Sequence, residues 1–254
     1  MTDLSGSVAV VTGGARGIGY SLARALADNG AVVGIIDILD EVSKSAAELA
    51  RVTGVAAAGV TTDVRDPDAL DDAFGQLEAE LGIADILITS AGITIWGDSI
   101  DVTREDWEKV IDINLSGTFF ATQSFARRLL PTGRSGSVIL ISSMSGKIVN
   151  VPQFQAAYNA SKAAVTHLGK SLAVEWAKAG IRVNSLEPGY TLSDMTRQFI
   201  DANPDLAKLW KSMIPVGRMG EPADLVGATL FLASNDSGYV TGQSIVVDGG
   251  YTAI

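Results

Sequence analysis

The chain has 254 residues, of which 47% are hydrophobic, with no cysteine and a formal net charge of −10 at pH 7. This composition excludes disulfides, thiolate metal sites and a thiol nucleophile, and it disfavours nucleic-acid partners, whose phosphates require a basic surface. Because the sequence shows neither a basic leader followed by an apolar core nor an apolar run near the roughly 20 residues of a membrane span, we expect a cytoplasmic protein with no membrane partner.

Seven short apolar runs, separated mostly by segments of helical length, predict the strands of one sheet. They are Val8 to Val11, Ala31 to Ile36, Val55 to Val60, Ile86 to Ile88, Val138 to Ile141, Ile181 to Val183 and Ile245 to Val247. Such alternation is typical of a Rossmann-type doubly wound α/β sheet, with about seven parallel strands and helices on both faces. No linker or repeat interrupts the pattern, so residues 1–254 are expected to form a single domain.

Polar residues follow each of these runs, and we expect them at the carboxyl ends of the strands, where doubly wound sheets bind ligands. They are Thr12-Gly13-Gly14, Asp37, Asp63, Ser90-Ala91-Gly92, Ser142-Ser143, Asn184 and Asp248. The segment from Ser193 to Met219 is mixed polar and aromatic and lacks strand character. It predicts a helical cover over a substrate site.

A glycine-rich loop lies between the first predicted strand and the first predicted helix. Gly13, Gly17 and Gly19 are spaced G-x-x-x-G-x-G, with Arg16 and Ile18 between them. Such a loop lets the backbone approach a pyrophosphate, whose charge the helix N-terminus favours. Three glycines alone also suit a tight structural turn, but the position after a strand favours a nucleotide site.

Two acidic residues at strand ends point to the rest of a dinucleotide. Asp37 ends the second predicted strand, where a carboxylate accepts hydrogen bonds from the ribose hydroxyls of NAD and repels the extra phosphate of NADP. A surface acid is the other interpretation of Asp37, and Arg16 could favour NADP instead. Asp63 follows the third strand, where it either reaches the adenine amino group or caps the next helix.

Tyr158 and Lys162 are four residues apart in a helical pattern from Ala156 to Ala177, so they share one helix face. A metal-free dehydrogenase needs a base for the alcohol proton, but a tyrosine with an ordinary pKa of ~10 is too weak near neutral pH. An ammonium group and an oxidised nicotinamide lower that pKa. Ser143, at a strand end, can hold the substrate oxygen. A surface Tyr–Lys pair, or His167 as a lone base, is the alternative.

Together these motifs resemble the short-chain dehydrogenase/reductase family nearly end to end. The resemblance rests on Thr12 to Gly19, Asp63-Val64, Ser90-Ala91-Gly92, Asn114, Ser143, Tyr158 to Lys162 and Pro188-Gly189. It implies that Ser143, Tyr158 and Lys162 are catalytic and that Asn114 kinks a helix and helps to relay protons. It also implies cofactor contacts from Val64, Ser90, Ala91, Gly92, Pro188, Gly189 and Thr191, in addition to Tyr158 and Lys162.

The sequence departs from the family pattern at two positions. Ser90 stands where the family usually has asparagine, and Glu187 stands where a small residue usually precedes the Pro-Gly pair. We expect little change in chemistry from Ser90. Glu187 either adds an acceptor for a substrate hydroxyl or pairs with a nearby cation.

The segment from Ser143 to Phe154 resembles the corresponding loop of polyol dehydrogenases in this family, such as galactitol dehydrogenase and D-arabinitol 2-dehydrogenase. Ser145, Asn150 and Gln153 offer several partners for the hydroxyls of a sugar alcohol, unless they satisfy the loop backbone instead. We expect Thr94, Trp96, Asn150 and the cover to shape the pocket.

The hypothesis that follows is an NAD-dependent dehydrogenase that interconverts a small-molecule polyol and its ketose without a metal. The alternative enzyme is a 3-oxoacyl-[acyl-carrier-protein] reductase, but such a reductase should prefer NADPH and carry basic residues for its acidic carrier. A non-catalytic NAD-binding regulator would be expected to lack Tyr158 or Lys162, and both are present. The resemblance also implies a homotetramer that pairs through helices around Arg104 to Leu130 and Ala156 to Ala179.

Overall fold

Seven parallel strands form one sheet in the order β3-β2-β1-β4-β5-β6-β7 in a computed structural model of the chain. The structure describes residues 2–193, residue 200 and residues 203–254. The strands are β1 (Val8–Thr12), β2 (Val32–Asp37), β3 (Ala57–Thr61), β4 (Ile86–Thr89), β5 (Gly136–Ile141), β6 (Ile181–Pro188) and β7 (Ser244–Val247). All seven predicted strands and the predicted fold class are confirmed.

Helices connect the strands and cover both faces of the sheet. Those in the described part of the chain are α1 (Gly17–Asp28), α2 (Val42–Thr53), α3 (Pro67–Leu81), α4 (Arg104–Ile111), α5 (Gly117–Leu129), α6 (Ala156–Trp176), α7 (Pro204–Met213) and α8 (Val226–Ala233). A π-helical segment, Asp112–Ser116, joins α4 to α5. In the described residues, no helix is long and apolar enough to cross a membrane.

Successive residues along a strand enter opposite hydrophobic cores. Val11 and Ile35 pack with α1, α2 and α8, whereas Val10 and Ile36 pack with α3, α5 and α6. Because both faces are buried, the strands require continuous aliphatic runs rather than alternating ones. This requirement explains why the hydrophobic runs alone located the sheet.

The order in which successive strands are added to the sheet reverses between β1 and β4. β1 pairs with β2 on one side and with β4 on the other, and both neighbours are parallel to it. The connections after β1 and β4 therefore leave toward opposite sides, which opens a crevice at the carboxyl ends of these strands. The crevice places the glycine loop beside the segment that follows β4.

β6 is longer than predicted, which corrects the assignment of Asn184. The sequence prediction ended this strand at Val183, with Asn184 at its carboxyl end, but β6 continues to Pro188. Asn184 is fully buried within the strand, where its amide donates to the Val240 carbonyl and accepts from the Gln243 backbone. Because these partners satisfy its polar group, Asn184 belongs to the sheet and not to the ligand crevice.

Candidate functional site

The glycine loop brings the backbone close to the segment after β4. A Cβ atom on Gly13 would lie 2.5 Å from the Ala91 nitrogen, and one on Gly19 would lie 2.1 Å from the Gly13 oxygen, so neither position accepts a side chain. Arg16, the N-cap of α1, makes no side-chain capping bond, and the first turn of α1 holds no acid. The N–H groups at this helix start are therefore suited to an anion, as the pyrophosphate of a dinucleotide requires.

Asp37 is held against this loop rather than exposed at the surface. Its side chain is buried at the end of β2. One carboxylate oxygen accepts from the Ala15 nitrogen at 3.0 Å, and the other accepts from the Leu39 nitrogen at 3.1 Å. These bonds fix a negative charge beside the loop, where a ribose of the dinucleotide would lie. The residues present therefore fit a nicotinamide dinucleotide.

Asp63 lies near the crevice but is engaged with Arg65. The guanidinium of Arg65 hydrogen-bonds both carboxylate oxygens and lowers the pKa of Asp63. The alternative interpretation of Asp63 as a helix cap is wrong, because Asp66 accepts from the Asp68 and Ala69 nitrogens at the start of α3. The contact of Asp63 with adenine stays a prediction.

The remaining predicted cofactor residues lie around the same strand ends. Val64 is buried against Gly117, and the Ser90 nitrogen donates to the Thr12 carbonyl. Ala91 faces Gly13, as described above. On the other side of the crevice, the Gly189 nitrogen donates to the Val247 carbonyl, next to Pro188 and the buried Thr191.

The predicted catalytic residues meet at the junction of β5 and α6. Ser143 follows β5 and caps a short 3₁₀ turn, Met144–Gly146. Tyr158 is in the first turn of α6. Lys162 lies one turn later, with its Nζ 5.7 Å from the centroid of the Tyr158 ring. The structure thus brings together the three residues that the sequence selected.

Burial shifts the pKa values of both ionisable groups toward the neutral form. It raises the pKa of Tyr158, an effect that the side chain of Ser143 partly offsets. It lowers the pKa of Lys162 to about 8. The Lys162 ammonium donates to the Ile141 carbonyl at 2.8 Å, so this hydrogen bond holds it beside the tyrosine. Two groups with shifted pKa values in one crevice are typical of an acid–base site.

Asn114 occupies the π-helical segment that interrupts the long helix, as the resemblance implied. Its amide oxygen accepts from the Ile93 nitrogen, and its amide nitrogen donates to the Ile93 carbonyl and to the Ser161 hydroxyl. These bonds join the segment after β4 to α6. Asn114 therefore connects two of the segments that form the site. Its part in proton relay stays a prediction.

Three of the predicted substrate residues, Ser145, Asn150 and Gln153, bond to other side chains. Ser145 donates to the Asn150 amide oxygen, and the Asn150 and Gln153 amides both donate to the Tyr190 hydroxyl. All three loop residues are buried. Gln155, which the sequence analysis missed, donates to Ser145 and to Asn150. This set, Ser145, Asn150, Gln153, Gln155 and Tyr190, is called the amide cluster below.

Aromatic side chains form one wall beside the amide cluster. The Tyr190 ring stacks on Trp210 of α7 with centroids 4.5 Å apart, and Trp96 meets Trp210 edge to face at 6.1 Å. The Trp210 indole also donates to the Gln153 amide oxygen. Trp96 was expected to shape the pocket. Tyr190 and Trp210 were not selected as site residues, because only the fold brings them to the loop.

The predicted cover, 193–219, is described in part. It contains α7, whose Trp210 packs with Ile214 and Met219. Residues 194–199, 201 and 202 of this predicted cover lie outside the described residues. Glu187, which is buried, pairs with the partly exposed Lys147, so the structure shows the cation pairing that was one of its two expected roles. In the ranges that the structure describes, no group of three or more His, Cys, Asp or Glu side chains could hold a metal ion.

Comparisons with known proteins give relatives that match nearly the whole chain. A family model described as Enoyl-(Acyl carrier protein) reductase matches residues 13–252. Sorbose reductase of Candida albicans is 45% identical over 98% of this chain and 88% of its own length. D-arabinitol 2-dehydrogenase of Scheffersomyces stipitis is 43% identical over 98% and 94% of the two chains. Galactitol 2-dehydrogenase of Cereibacter sphaeroides is 41% identical over 98% and 96%.

Solved structures show the same fold over the whole chain. A short-chain type dehydrogenase/reductase from Mycobacterium marinum superposes with a TM-score of 0.94 at 40% identity, covering 100% of this chain and 98% of that one. A gluconate 5-dehydrogenase from Burkholderia cenocepacia, in complex with NADP and tartrate, gives 0.94 at 35% identity with the same coverage. The chain therefore belongs to the short-chain dehydrogenase/reductase family and is an oxidoreductase that acts on CH–OH groups.

Proposed function

We propose that this enzyme interconverts a sugar alcohol and its ketose, with NAD as the hydride carrier. The observation that supports the proposal is the amide cluster, in which buried hydrogen-bonding side chains of the segment between Ser143 and Tyr158 meet Tyr190. A polyol presents a hydroxyl on each carbon, and a site with several polar partners rejects analogues that lack these hydroxyls. The names of the relatives, which act on sorbose, arabinitol and galactitol, support the same substrate class.

The chain supplies the proton chemistry of this reaction. When bound, the nicotinamide supplies the acceptor for the hydride that leaves the carbinol carbon. The Tyr158 oxygen, as phenolate, takes the hydroxyl proton while the carbinol carbon–oxygen bond becomes a carbonyl. Ser143 holds the substrate oxygen by a hydrogen bond. The Lys162 ammonium favours the phenolate because its positive charge lies 5.7 Å from the ring centroid.

The preference for NAD rests on Asp37, because the relatives use either coenzyme. One relative is named a probable NADP-dependent mannitol dehydrogenase, and another an NADH-dependent L-xylulose reductase. Asp37 is fixed by two backbone hydrogen bonds beside the glycine loop. A fixed carboxylate there accepts from ribose hydroxyls and repels a 2′-phosphate.

The Asp37→Ala variant tests this preference. Removing the carboxylate should reduce the ratio of kcat/KM with NAD to kcat/KM with NADP, because the repulsion is lost together with the ribose bonds. Steady-state kinetics with both coenzymes measure the ratio. Asp40→Ala is the matched control. Asp40 is an exposed acid three residues after Asp37, beyond the end of β2, and its removal should leave the ratio unchanged. A wild-type preference for NADP would contradict the proposal.

The second candidate function is the reduction of 3-oxoacyl groups on an acyl carrier protein. It is favoured by the description of the matching family model, which names an acyl-carrier-protein reductase. The net charge of −10 opposes it, since the carrier is acidic. A screen of NAD reduction with four- to six-carbon polyols, run beside reduction of acetoacetyl thioesters, decides between the two. Turnover of thioesters without turnover of any polyol would favour the second candidate.

We also propose that the described part of the predicted cover 193–219, which includes α7, lies over the substrate. We propose in addition that four copies of the chain assemble. The cover contributes Trp210 to the wall beside the amide cluster. The tetramer would pair the α4–α5 helices and α6 with those of other copies, as the family resemblance implies. Leu115 and Phe120 pack partly against the core of their own chain, whereas the terminal Ile254 is 90% exposed.

A further inference from the structure

Glu187 is a fully buried acid at the carboxyl end of β6, immediately before Pro188. A buried carboxylate is costly unless charged or hydrogen-bonding partners compensate it. The acid-base steps described above do not use this residue. Its contacts therefore need a separate explanation.

Two partners from two elements compensate the carboxylate. Oε1 accepts a hydrogen bond from the Thr166 hydroxyl of α6 at 2.9 Å. Oε2 lies 2.9 Å from Nζ of Lys147, whose side chain is 41% exposed. Within the described part of the chain Oε2 receives no hydrogen bond of good geometry, so the charge of Lys147 is its compensation.

The hydrogen bonds continue from Thr166 to the backbone of the catalytic lysine. The Ser142 hydroxyl oxygen lies 2.8 Å from the Thr166 hydroxyl and 2.8 Å from the Lys162 carbonyl. Because Thr166 donates its own proton to Glu187, the single Ser142 proton is shared between these two acceptors. Ser142 directly precedes the catalytic Ser143. Glu187 is thus connected through two hydroxyls to the residue before the catalytic serine and to the helix turn of the catalytic lysine.

The loop after Ser143 packs tightly on the same helix turn. A Cβ atom on Gly146 would lie 2.9 Å from the Ala163 nitrogen and from the Lys162 carbonyl carbon, so the loop backbone rests directly on α6. Lys147, the next residue, then reaches down to Glu187. Ser142 and Lys147 therefore anchor the two sides of the turn that carries Ser143, and both anchors lead to Glu187.

We propose that Glu187 is a positioning residue that sets the distance between Ser143 on its loop and Tyr158 and Lys162 on α6. It does so through the ion pair with Lys147 and the hydrogen bond from Thr166. If the carboxylate loses its charge, the Lys147 ammonium leaves the buried contact and the turn shifts on α6. Shifts of about 1 Å at groups remote from the reacting atoms can cost on the order of 100-fold in rate.

Glu187→Gln and Lys147→Met test the proposal. In Glu187→Gln, the glutamine keeps an acceptor for Thr166 but removes the charge. If that variant does not fold, Lys147→Met still tests the ion pair, because the Lys147 side chain is 41% exposed and tolerates methionine. Each single variant should lower kcat by about 10- to 100-fold and leave the Kd for the coenzyme unchanged. The double variant should be no worse than the poorer single one, because both remove the same contact.

Asp85→Asn is the matched control for the loss of a partly buried acidic charge in an ion pair. Asp85 directly precedes the central strand β4, at the amino ends of the strands, accepts from the Val8 nitrogen and pairs with Arg134. It should lower the Tm without changing kcat. The proposal is overturned if Glu187→Gln and Lys147→Met lower the Tm as Asp85→Asn does while kcat stays near the wild-type value. It is also overturned if their loss in kcat is matched by an equal loss of coenzyme affinity.

The experiment rests on the proposed function only for its substrate. The comparison is made with whichever alcohol the wild-type enzyme oxidises in the polyol screen. If the wild type oxidises no polyol, the proposed function fails, and the variants are then compared on the substrate that it does accept. The ratio of variant to wild-type kcat therefore reports on Glu187 whatever the substrate is.

Discussion

At the scale of single residues, the site is built on two groups that burial shifts in opposite directions. Burial raises the pKa of Tyr158 and lowers that of Lys162 to about 8. Both shifts favour the uncharged forms. Once both groups are charged, however, the phenolate of Tyr158 and the ammonium of Lys162 stabilise each other. The two residues therefore act as one unit, since the charge of each depends on the other.

Replacing Tyr158 with phenylalanine should abolish proton transfer but leave the coenzyme site intact. We expect kcat for alcohol oxidation to fall by at least ~100-fold, the low end for general-base groups. Fluorescence titration with NADH should give a Kd near that of the wild type. As a control, Tyr239→Phe removes the hydroxyl of an exposed tyrosine and should have no effect. Turnover near the wild-type rate in Tyr158→Phe would show that another group is the base.

The pH dependence follows from the same two shifts. Alcohol oxidation requires the deprotonated tyrosine, whose pKa is raised, so kcat/KM for oxidation should increase as the pH rises through neutrality. It should level off above about pH 8, because Lys162, whose pKa burial lowers to about 8, then loses the proton that favours the phenolate. Ketone reduction needs the protonated tyrosine and should fall as the pH rises. Rates measured in both directions from about pH 6 to 10 test the opposite slopes.

At the scale of elements, the amide cluster joins the catalytic loop to the segment after β6 and to the cover. Gln153 bridges the Tyr190 hydroxyl and the Trp210 indole, so it connects three separate parts of the chain. Because such amides already bond to one another, a polyol must share them or replace some of these bonds. The loop can thus select a substrate in two ways, by hydrogen bonds to its hydroxyls and by the shape that the amide cluster gives to the loop.

Removing the amide of Gln153 or Asn150 should therefore weaken polyol binding selectively. We expect Gln153→Ala and Asn150→Ala to raise KM for a polyol more than for a simple secondary alcohol of equal length. Gln243→Ala, at an exposed amide before β7, provides the control and should leave both KM values unchanged. Equal increases in KM for the two alcohols would mean that these amides only maintain the loop.

Local patterns predicted the strands and the catalytic groups, but not the contacts between distant segments. The hydrophobic runs located all seven strands because a parallel sheet buried on both faces needs them. The prediction ended β6 early because the buried polar groups of Asn184 and Glu187 find partners on other elements. Tyr190 and Trp210 lie 37 and 57 residues from Gln153 along the chain, so only the tertiary fold reveals that they share a site.

At the scale of the whole molecule, the long helices carry exposed apolar side chains that suit contact with another copy. Val174 of α6 is 82% exposed, and Trp107 of α4 is 41% exposed. Phe119 and Phe120 of α5 contact each other edge to face with centroids 6.0 Å apart and are partly exposed. Apolar surface on neighbouring helices is what an interface between copies would bury.

Val174→Glu should therefore disrupt the assembly without disturbing the fold. Its side chain lies outside the core of the chain, so a charge there costs little in the monomer but much in a buried interface. Light scattering at micromolar concentration should give a tetramer of the 26.4 kDa chain for the wild type and a smaller species for the variant. Ile100→Glu, at a 92% exposed loop residue outside both helices, should remain tetrameric. A monomeric wild type would rule out the assembly, and a tetrameric Val174→Glu would place the interface away from this part of α6.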